Sequence, residues 1–337
     1  MRINAIDLFS GCGGLTEGLE QSEINVEYAI ELDRKISNIY ATNHPNVKII
    51  NSDIQKVTDT TFKQMENVNL VAGCPPCQGF TQMNRNNKRS NYKDSRNMLI
   101  QEYLRVVKII SPEFIMMENV PQIVHFNKFK EMLVALKRCG YFLDLKIINV
   151  KNFGVPQNRK RLVLLGSKKQ QPNFPDFTTK NIKTVRDCIG NLTPPKKSTD
   201  ILQKIHSNHT EYIEKIISMI PKNGGSRKDL PESYWLKCHK HKNVGFSDVY
   251  GRMKWDTPSP TITGGCLSPS KGRFLHPEQN RSISVREASL LQSFPKNYYF
   301  NEKYPKSLLA QMIGNAIPPL VAKAQGQYLL KLQRSSK

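Results

Sequence analysis

Between residues 3 and 166, short apolar runs alternate with stretches whose apolar positions recur at helical spacing. This pattern predicts βαβ units around a parallel sheet. The apolar runs predict strands at Asn4 to Phe9, Val26 to Ile30, Val47 to Ile50, Val68 to Ala72, Phe114 to Met117, Phe142 to Val150 and Arg161 to Leu165. Helical spacing fits Leu15 to Gln21, Arg34 to Thr42, Met98 to Ile110 and Phe129 to Cys139, each bounded by polar residues, Pro or Gly. The expected fold class is α/β, a doubly wound, mostly parallel sheet.

From about Lys168 to Pro277 the pattern breaks into short uneven apolar runs among Pro, Lys, Ser and Asn, with turn signals such as Asn223-Gly224-Gly225. A smaller, irregular domain is expected at 168–277, inserted into a larger one made of 1–167 and 278–337. Helical spacing resumes at Val285 to Gln292 and Leu308 to Leu332, and the last helix has to return to the first domain's core.

Charge adds a partner class. The chain of 337 residues carries 50 Lys and Arg against 28 Asp and Glu, a formal net charge of +22, which favours a polyanion through counterion release. Residues 168 to 275 hold 19 Lys and Arg against 9 Asp and Glu, so the positive field covers both domains. The sequence has no basic amphipathic helix and no apolar run of spanning length, which argues against a membrane partner. Seven cysteines at irregular spacing argue against a disulfide framework. The first residues enter a strand at once and leave no room for a signal peptide, so a cytoplasmic protein is expected.

Two cysteines stand out, in Gly73-Cys74-Pro75-Pro76-Cys77-Gln78-Gly79-Phe80-Thr81, directly after the strand pattern Val68 to Ala72. Paired prolines stiffen the backbone and remove two amide donors, so the Cys77 thiol is held in a fixed direction, as an attacking nucleophile requires. Half a zinc site and a redox pair are the competing readings. Against zinc, no second CxxC occurs, and Cys238-His239-Lys240-His241 lacks the partner spacing. Against redox chemistry, a long polar, basic segment from Gln78 to Asn97 follows where a helix should open.

A second constellation surrounds Asp7-Leu8-Phe9-Ser10-Gly11-Cys12-Gly13-Gly14, a strand running into a Gly-rich turn and then a helix, where a ligand can approach the backbone. The spacing G-x-G-G fits a nucleoside without phosphates better than a pyrophosphate. Glu31, at the end of the second strand, is a candidate ribose clamp. Asp53 after the third could accept from an adenine amine, with Ile54 packing on the ring. Each carboxylate alone reads equally as a helix cap or a solvated charge.

With these residues in place the chain resembles the cytosine-5 DNA methyltransferases through ordered blocks along nearly its whole length. Asp7 to Gly14 resembles the family's cofactor loop, Gly73 to Thr81 its nucleophile block, and Met117-Glu118-Asn119-Val120-Pro121 its acid block. Gln157-Asn158-Arg159-Lys160-Arg161-Leu162, Val285-Arg286-Glu287-Ala288 and Gly314-Asn315-Ala316-Ile317-Pro318-Pro319 follow in the family's order. The resemblance implies S-adenosylmethionine as methyl donor, leaving S-adenosylhomocysteine, with no metal. Phe9 would stack on adenine, Glu31 would hold the ribose and Asp53 the adenine amine. Ser10, Gly11, Cys12, Gly14, Ile54, Pro76 and Leu99 would line the site, and Asn315 and Ala316 would complete it. Leu32 stands where family members often carry an aromatic residue, and it can still supply an apolar wall.

Methylation at cytosine C5 requires a nucleophile to add first at C6, and Cys77 is the candidate, with nearby arginines favouring its thiolate. Glu118 would donate at N3 as density moves onto the ring, and must carry a proton for part of the cycle. Pairing of Glu118 with Arg159 or Arg161 is the structural alternative, compatible with catalysis. The resemblance implies that Arg161 contacts the base carbonyl and Arg159 helps hold Glu118. Cys74 reads as a packed small residue.

A cytosine inside a duplex must be flipped out to meet thiol and donor. Gln82 to Asn97, with Arg85, Lys88 and Arg89 directly after the nucleophile, fits a loop closing on phosphates. Thr261, in Pro258-Ser259-Pro260-Thr261-Ile262-Thr263-Gly264-Gly265, resembles the family's Thr-containing turn near the target strand and is a candidate phosphate contact, with Arg252 a weaker one. The implied partner is double-stranded DNA met by a monomer, in an enzyme paired with a restriction endonuclease. A transfer-RNA cytosine-5 methyltransferase and a non-catalytic DNA-binding relative are the alternatives.

Overall fold

The computed structural model describes residues 2–76, 98–175, 181–236, 240 and 248–335. Seven strands form one sheet: β1 Asn4–Leu8, β2 Asn25–Glu31, β3 Lys48–Asn51, β4 Leu70–Gly73, β5 Phe114–Asn119, β6 Phe142–Asn149 and β7 Lys160–Ser167. All seven lie where the apolar runs predict them, within a few residues. The eleven α-helices among the described residues are α1 Gly14–Gln21, α2 Arg34–Asn43, α3 Asp59–Lys63, α4 Leu99–Ile110, α5 Asn127–Arg138, α6 Val185–Ile189, α7 Ile201–Lys204, α8 Glu211–Met219, α9 Val285–Leu291, α10 Lys306–Asn315 and α11 Pro319–Ser335. The helical spacing from Leu308 to Leu332 thus spans two helices. Ala316 leaves helical geometry, and Pro318 and Pro319 cannot donate the backbone bonds a continuous helix needs.

The strand order is β3-β2-β1-β4-β5-β7-β6. β1 to β5 pair in parallel, whereas β7 pairs antiparallel with β5 and with β6. The doubly wound, mostly parallel sheet is therefore present, closed at one side by an antiparallel hairpin. The order reverses between β1 and β4, and in such sheets ligands bind beyond the carboxyl ends of the strands at that reversal. Leu8 is in register with Ile30 on β2 and with Gly73 on β4, so the glycine turn, Glu31 and the Cys74-Pro75-Pro76 segment leave the sheet at one edge. Met117 on β5 pairs with Gly73, which brings Glu118 and Asn119 to the same edge.

Two compact units divide the chain: Met1–Phe153, Lys160–Thr178 and Ile317–Lys337 form the first, and Gly154–Arg159 with Thr179–Ala316 the second. These limits differ from 168–277, because α9 and α10 pack with the irregular unit. Glu287 of α9 accepts from Gln203 of α7 at 2.9 Å and from Arg281 at 2.6 and 2.8 Å. α11 does return to the first unit, as expected. It packs on α1 through small residues: a Cβ on Gly18 would lie 2.2 Å from the Pro319 carbonyl oxygen, and one on Gly326 would lie 2.1 Å from Ser22 Oγ. The first unit's core joins Ile6, Leu8, Val71, Ile115 and Met117 of the strands to Tyr103, Val107, Phe129 and Met132 of α4 and α5.

Candidate active site

The turn after β1 is built by backbone geometry that few side chains tolerate. Phe9, Gly11 and Gly13 have φ of 60°, 57° and 94°. Ser10 N–H donates to the Ile30 carbonyl at 3.0 Å, and Gly13 N–H to Ser10 at 3.0 Å, which fastens the turn to β2 and to itself. A Cβ on Gly11 would meet nothing within 4 Å, so this turn faces open space. Two polar atoms here, Asp7 Oδ1 and Ser10 Oγ, are buried without a hydrogen-bond partner. Cys12 is buried, and desolvation pushes its thiol up to about 12.

Glu31 stands at the end of β2 with both oxygens directed by backbone amides: Gly11 N–H donates to Oε2 at 2.9 Å and Asp33 N–H to Oε1 at 2.8 Å. Each oxygen keeps acceptor capacity for a hydroxyl. Burial raises its pKa, and the two amides oppose that. Leu32, 68% exposed, is the most exposed of the large apolar side chains among the described residues. Asp53 accepts from Gln55 N–H at 3.0 Å, capping a short 3₁₀ turn, so the cap reading of this carboxylate holds; its neighbour Ile54 is buried. Leu99 opens α4, half-buried against the core.

At the end of β4 the stiff Cys74-Pro75-Pro76 segment is tied to β5. Asn119 Nδ2 donates to the Pro75 carbonyl at 2.9 Å while its Oδ1 accepts from Val120 N–H at 2.8 Å. The Tyr103 hydroxyl on α4 reaches the carbonyls of Val71 at 3.2 Å and Met116 at 3.1 Å, clamping β4 to β5 just behind. Cys74 is no activated thiol: burial first, then the Glu118 charge, push its pKa well above the ordinary range. Cys77, Arg85, Lys88 and Arg89 lie outside the described residues.

Glu118 is buried, and Arg161 Nε lies 2.8 Å from its Oε1. That contact is a close ion pair, and Oε1 has no other partner among the described residues. The antiparallel register of β5 and β7, with Asn119 opposite Leu162, sets Arg161 against the strand end. Burial lowers the Arg161 pKa and the Glu118 charge opposes this.

Of the two arginines the sequence offers to Glu118, Arg161 is the one at ion-pair distance from it, whereas the resemblance gives that holding role to Arg159. Arg159, in the second unit, donates from Nη1 to the carbonyls of Ile262 at 2.8 Å and Gly314 at 2.9 Å, and from Nη2 to Ala316 at 3.3 Å. It thereby ties the Thr261 turn to the end of α10. Gly314 permits that approach, since a Cβ there would lie 2.1 Å from the Thr263 carbonyl carbon. Asn315 is exposed and Ala316 half-buried at the same helix end. Thr261 Oγ1 donates to the Asn158 carbonyl at 3.0 Å, so its hydroxyl hydrogen braces the turn, and a phosphate contact requires giving up that bond.

Arg252 is corrected outright. It is fully buried, and its donors meet the carbonyls of Ile220, His276, Gln279 and Ile217 and Asn280 Oδ1 at 2.7 to 3.1 Å. Burial alone lowers its pKa to about 10. No phosphate reaches it; Arg252 organises the second unit's interior.

Sequence reasoning passed over Asn119 and Asp7 as working residues. The available signal was position, since each is a polar residue at or next to the end of a strand that carries a motif. Among the described residues, Glu17, Glu20 and His44 are the group with ligating atoms within 4.8 Å of one another, and His44 Nδ1 already meets Glu20 Oε2 at 2.8 Å.

Comparison with known proteins identifies the family. The Type II methylase M.HgiDII of Herpetosiphon aurantiacus is 34% identical over 328 residues, covering 93% of this chain and 91% of the relative. The Type II methyltransferase M1.HphI of Haemophilus parahaemolyticus is 34% identical over 343 residues, covering 98% and 88%. Among solved structures, a prophage-encoded E. coli protein described as a DNA modification methyltransferase superposes with a TM-score of 0.71 at 24% identity, over 98% of this chain and 99% of that one. The profile of the family described as C-5 cytosine-specific DNA methylase matches residues 3–331. The chain therefore belongs to the C-5 cytosine-specific DNA methylase family and is a DNA (cytosine-5-)-methyltransferase.

Proposed function

We propose that this enzyme methylates C5 of a cytosine flipped out of a specific duplex DNA sequence, through a covalent adduct between Cys77 and C6, with S-adenosylmethionine as donor. The observation that carries the mechanism is the Glu118–Arg161 pair at the end of β5, beside a diproline segment that Asn119 fastens immediately before Cys77. The turn after β1 fits the donor: it has an open face at Gly11, two buried polar atoms without partners, and Glu31 oriented by amides. Phe9, Ser10, Gly11, Cys12, Gly14, Glu31, Leu32, Asp53, Ile54, Pro76 and Leu99 would hold it, with Asn315 and Ala316. When bound, the donor supplies an electrophilic methyl group on a sulfonium.

Attack by the Cys77 thiolate on C6 sends electron density toward N3 and O2. Glu118 stabilises that density by donating a proton or strong hydrogen bond to N3. Oε1, with no partner besides Arg161 among the described residues, leaves room for this bond, and Arg161 fixes the carboxyl and presents further donors toward the base carbonyl. C5 then becomes nucleophilic. After transfer, loss of the C5 proton re-forms the double bond and expels the Cys77 thiolate. The second unit would carry target recognition, with Thr261 near the backbone. Arg85, Lys88 and Arg89 would meet phosphates after the nucleophile block, so affinity should fall steeply with salt.

By the same reading the enzyme acts as a monomer in the bacterial cytoplasm, at the nucleoid, as the modification partner of a restriction endonuclease. Transfer of a labelled methyl to duplex DNA, lost in Cys77→Ser with DNA binding retained, is the expected result. Undiminished turnover of Cys77→Ser, or transfer only to RNA, would overturn the assignment. Bisulfite sequencing of DNA from cells expressing the protein would identify the target sequence.

A further inference from the structure

Asp7 lies one residue before the end of β1 and is completely buried. Its Oδ2 accepts from Thr16 Oγ1 at 2.8 Å, and Thr16 Oγ1 meets the Tyr40 hydroxyl at 2.7 Å. Its Oδ1 has no hydrogen-bond partner among the described residues. Among the described residues, the titratable groups that act on it are Glu31 at the end of β2, Cys74 after β4 and Tyr40 of α2, and none of these is a cation. A neutral amide would satisfy Thr16 equally well. A buried acid with an oxygen unpaired among the described residues, on the strand that leads into the glycine turn and within electrostatic reach of Glu31, is a group whose ionised form an arriving cation would stabilise.

We propose that Asp7 is the charge sensor of the cofactor turn, losing its proton when a cationic methyl donor binds and so favouring the sulfonium donor over the neutral sulfide product. This rests on the reading that S-adenosylmethionine occupies the turn. In the free enzyme, burial, with a contribution from Glu31, pushes the carboxyl up to about 7, so it is substantially protonated at neutral pH. A cation held nearby favours the carboxylate, and the proton leaves to solvent. By linkage, ionised Asp7 tightens binding of that cation by the same factor. Donor and product share an ammonium group, so its contribution largely cancels in the ratio of their affinities. The sulfonium charge does not cancel.

The test is calorimetric titration of the wild-type enzyme and Asp7→Asn with S-adenosylmethionine and with S-adenosylhomocysteine at pH 6, 7 and 8. Two buffers of different ionisation heat count the protons exchanged. The preference for donor over product should grow about three- to tenfold from pH 6 to 8 in the wild type, with proton release on donor binding, and should be flat in Asp7→Asn. A second variant, Thr16→Val, removes the hydrogen bond that favours the carboxylate and should move the midpoint of this dependence to higher pH. A pH-independent ratio in the wild type, a dependence retained by Asp7→Asn, or an unmoved midpoint in Thr16→Val each overturns the proposal while leaving the donor assignment intact. Absence of binding by both ligands at every pH overturns both.

Discussion

Glu118 in the first unit and Arg252 in the second are both buried charged side chains, and they are treated in opposite ways. Arg252 is surrounded by carbonyls that take up its donors, and Arg281 and Glu287 close on one another at 2.6 and 2.8 Å. Along the carboxyl edge of the sheet, Glu118 Oε1 is buried with no partner besides Arg161 among the described residues, and Asp7 Oδ1 and Ser10 Oγ are buried with none. A buried polar group costs stability unless it is paired, so fully paired groups mark architecture and underpaired ones mark places where a ligand completes the set. The division has exceptions among the described residues: Arg227, over the Trp235 ring at 5.3 Å, keeps Nε and Nη1 unpaired in the second unit, where Ser259 Oγ and His209 Nε2 are also unpaired, and in the first unit Glu113 Oε1 and both polar atoms of Gln325 are unpaired as well. Among its described residues the second unit has no extended sheet to organise it, and side-chain to carbonyl bonds take over that task. The first unit is held by its strands and helices, which leaves its edge polar groups available for chemistry.

The largest expected effect is on the edge. Glu118→Gln should lower kcat by about 10²- to 10⁴-fold with duplex DNA affinity retained, in single-turnover methyl transfer. A variant within threefold of the wild type would reduce Glu118 to a structural ion-pair partner. Arg252→Met should instead cost about 3 kcal/mol of stability in denaturant melts, because it orphans several carbonyls at once. If the fold is unperturbed and only DNA affinity falls, the contrast between the two units fails.

The two regions should also respond to pH with opposite signs. Asp7 has its pKa raised from 3.8 to about 7, so the native state holds the extra proton; its stabilisation is full below about 4 and is lost as pH rises through 7. Burial lowers buried His276 from 6.5 to about 4, so its contribution is present above 6.5 and is lost as pH falls toward 4. Each slope is at most about 1.4 kcal/mol per pH unit. Hydrogen exchange between pH 4.5 and 7 should show protection falling with rising pH around β1 and rising around Phe274 to Glu287. Parallel trends in both regions would remove the distinction.

Two smaller changes refine the edge itself. Asn119→Ala frees the Pro75 carbonyl and should reduce kcat about tenfold with little change in KM, a cost of about 1.4 kcal/mol. Cys74→Ala should leave turnover within about threefold, since a thiol with a raised pKa supplies no thiolate. A large loss there would restore the two-cysteine reading of the motif.

The edge was largely legible because its parts are local. An apolar run followed by Gly, Pro or a polar residue locates a strand end wherever the strand lies, and β1 to β5 end at Leu8, Glu31, Asn51, Gly73 and Asn119. Helix α3 was missed because its five residues, Asp59–Lys63, carry too little periodicity to register. The compact units follow other limits than 168–277 because α9 joins the irregular unit through a buried polar network, and apolar patterning carries no trace of such a network.

By itself the sequence determined the sheet, the strand-edge location of the functional blocks and the reaction class, because strand periodicity and the motif residues are contiguous along the chain. Tertiary structure alone decided which arginine pairs with Glu118. Arg159 and Arg161 are two residues apart and share strand parity, and only the register of β5 on β7 and the carbonyls of Ile262 and Gly314 give them different partners. It also decided that Arg252 is an interior hub rather than a surface cation, and that Asp7 holds a proton near neutral pH. Solvation of a charged group is a property of everything packed around it, and those neighbours come from segments far away in the chain.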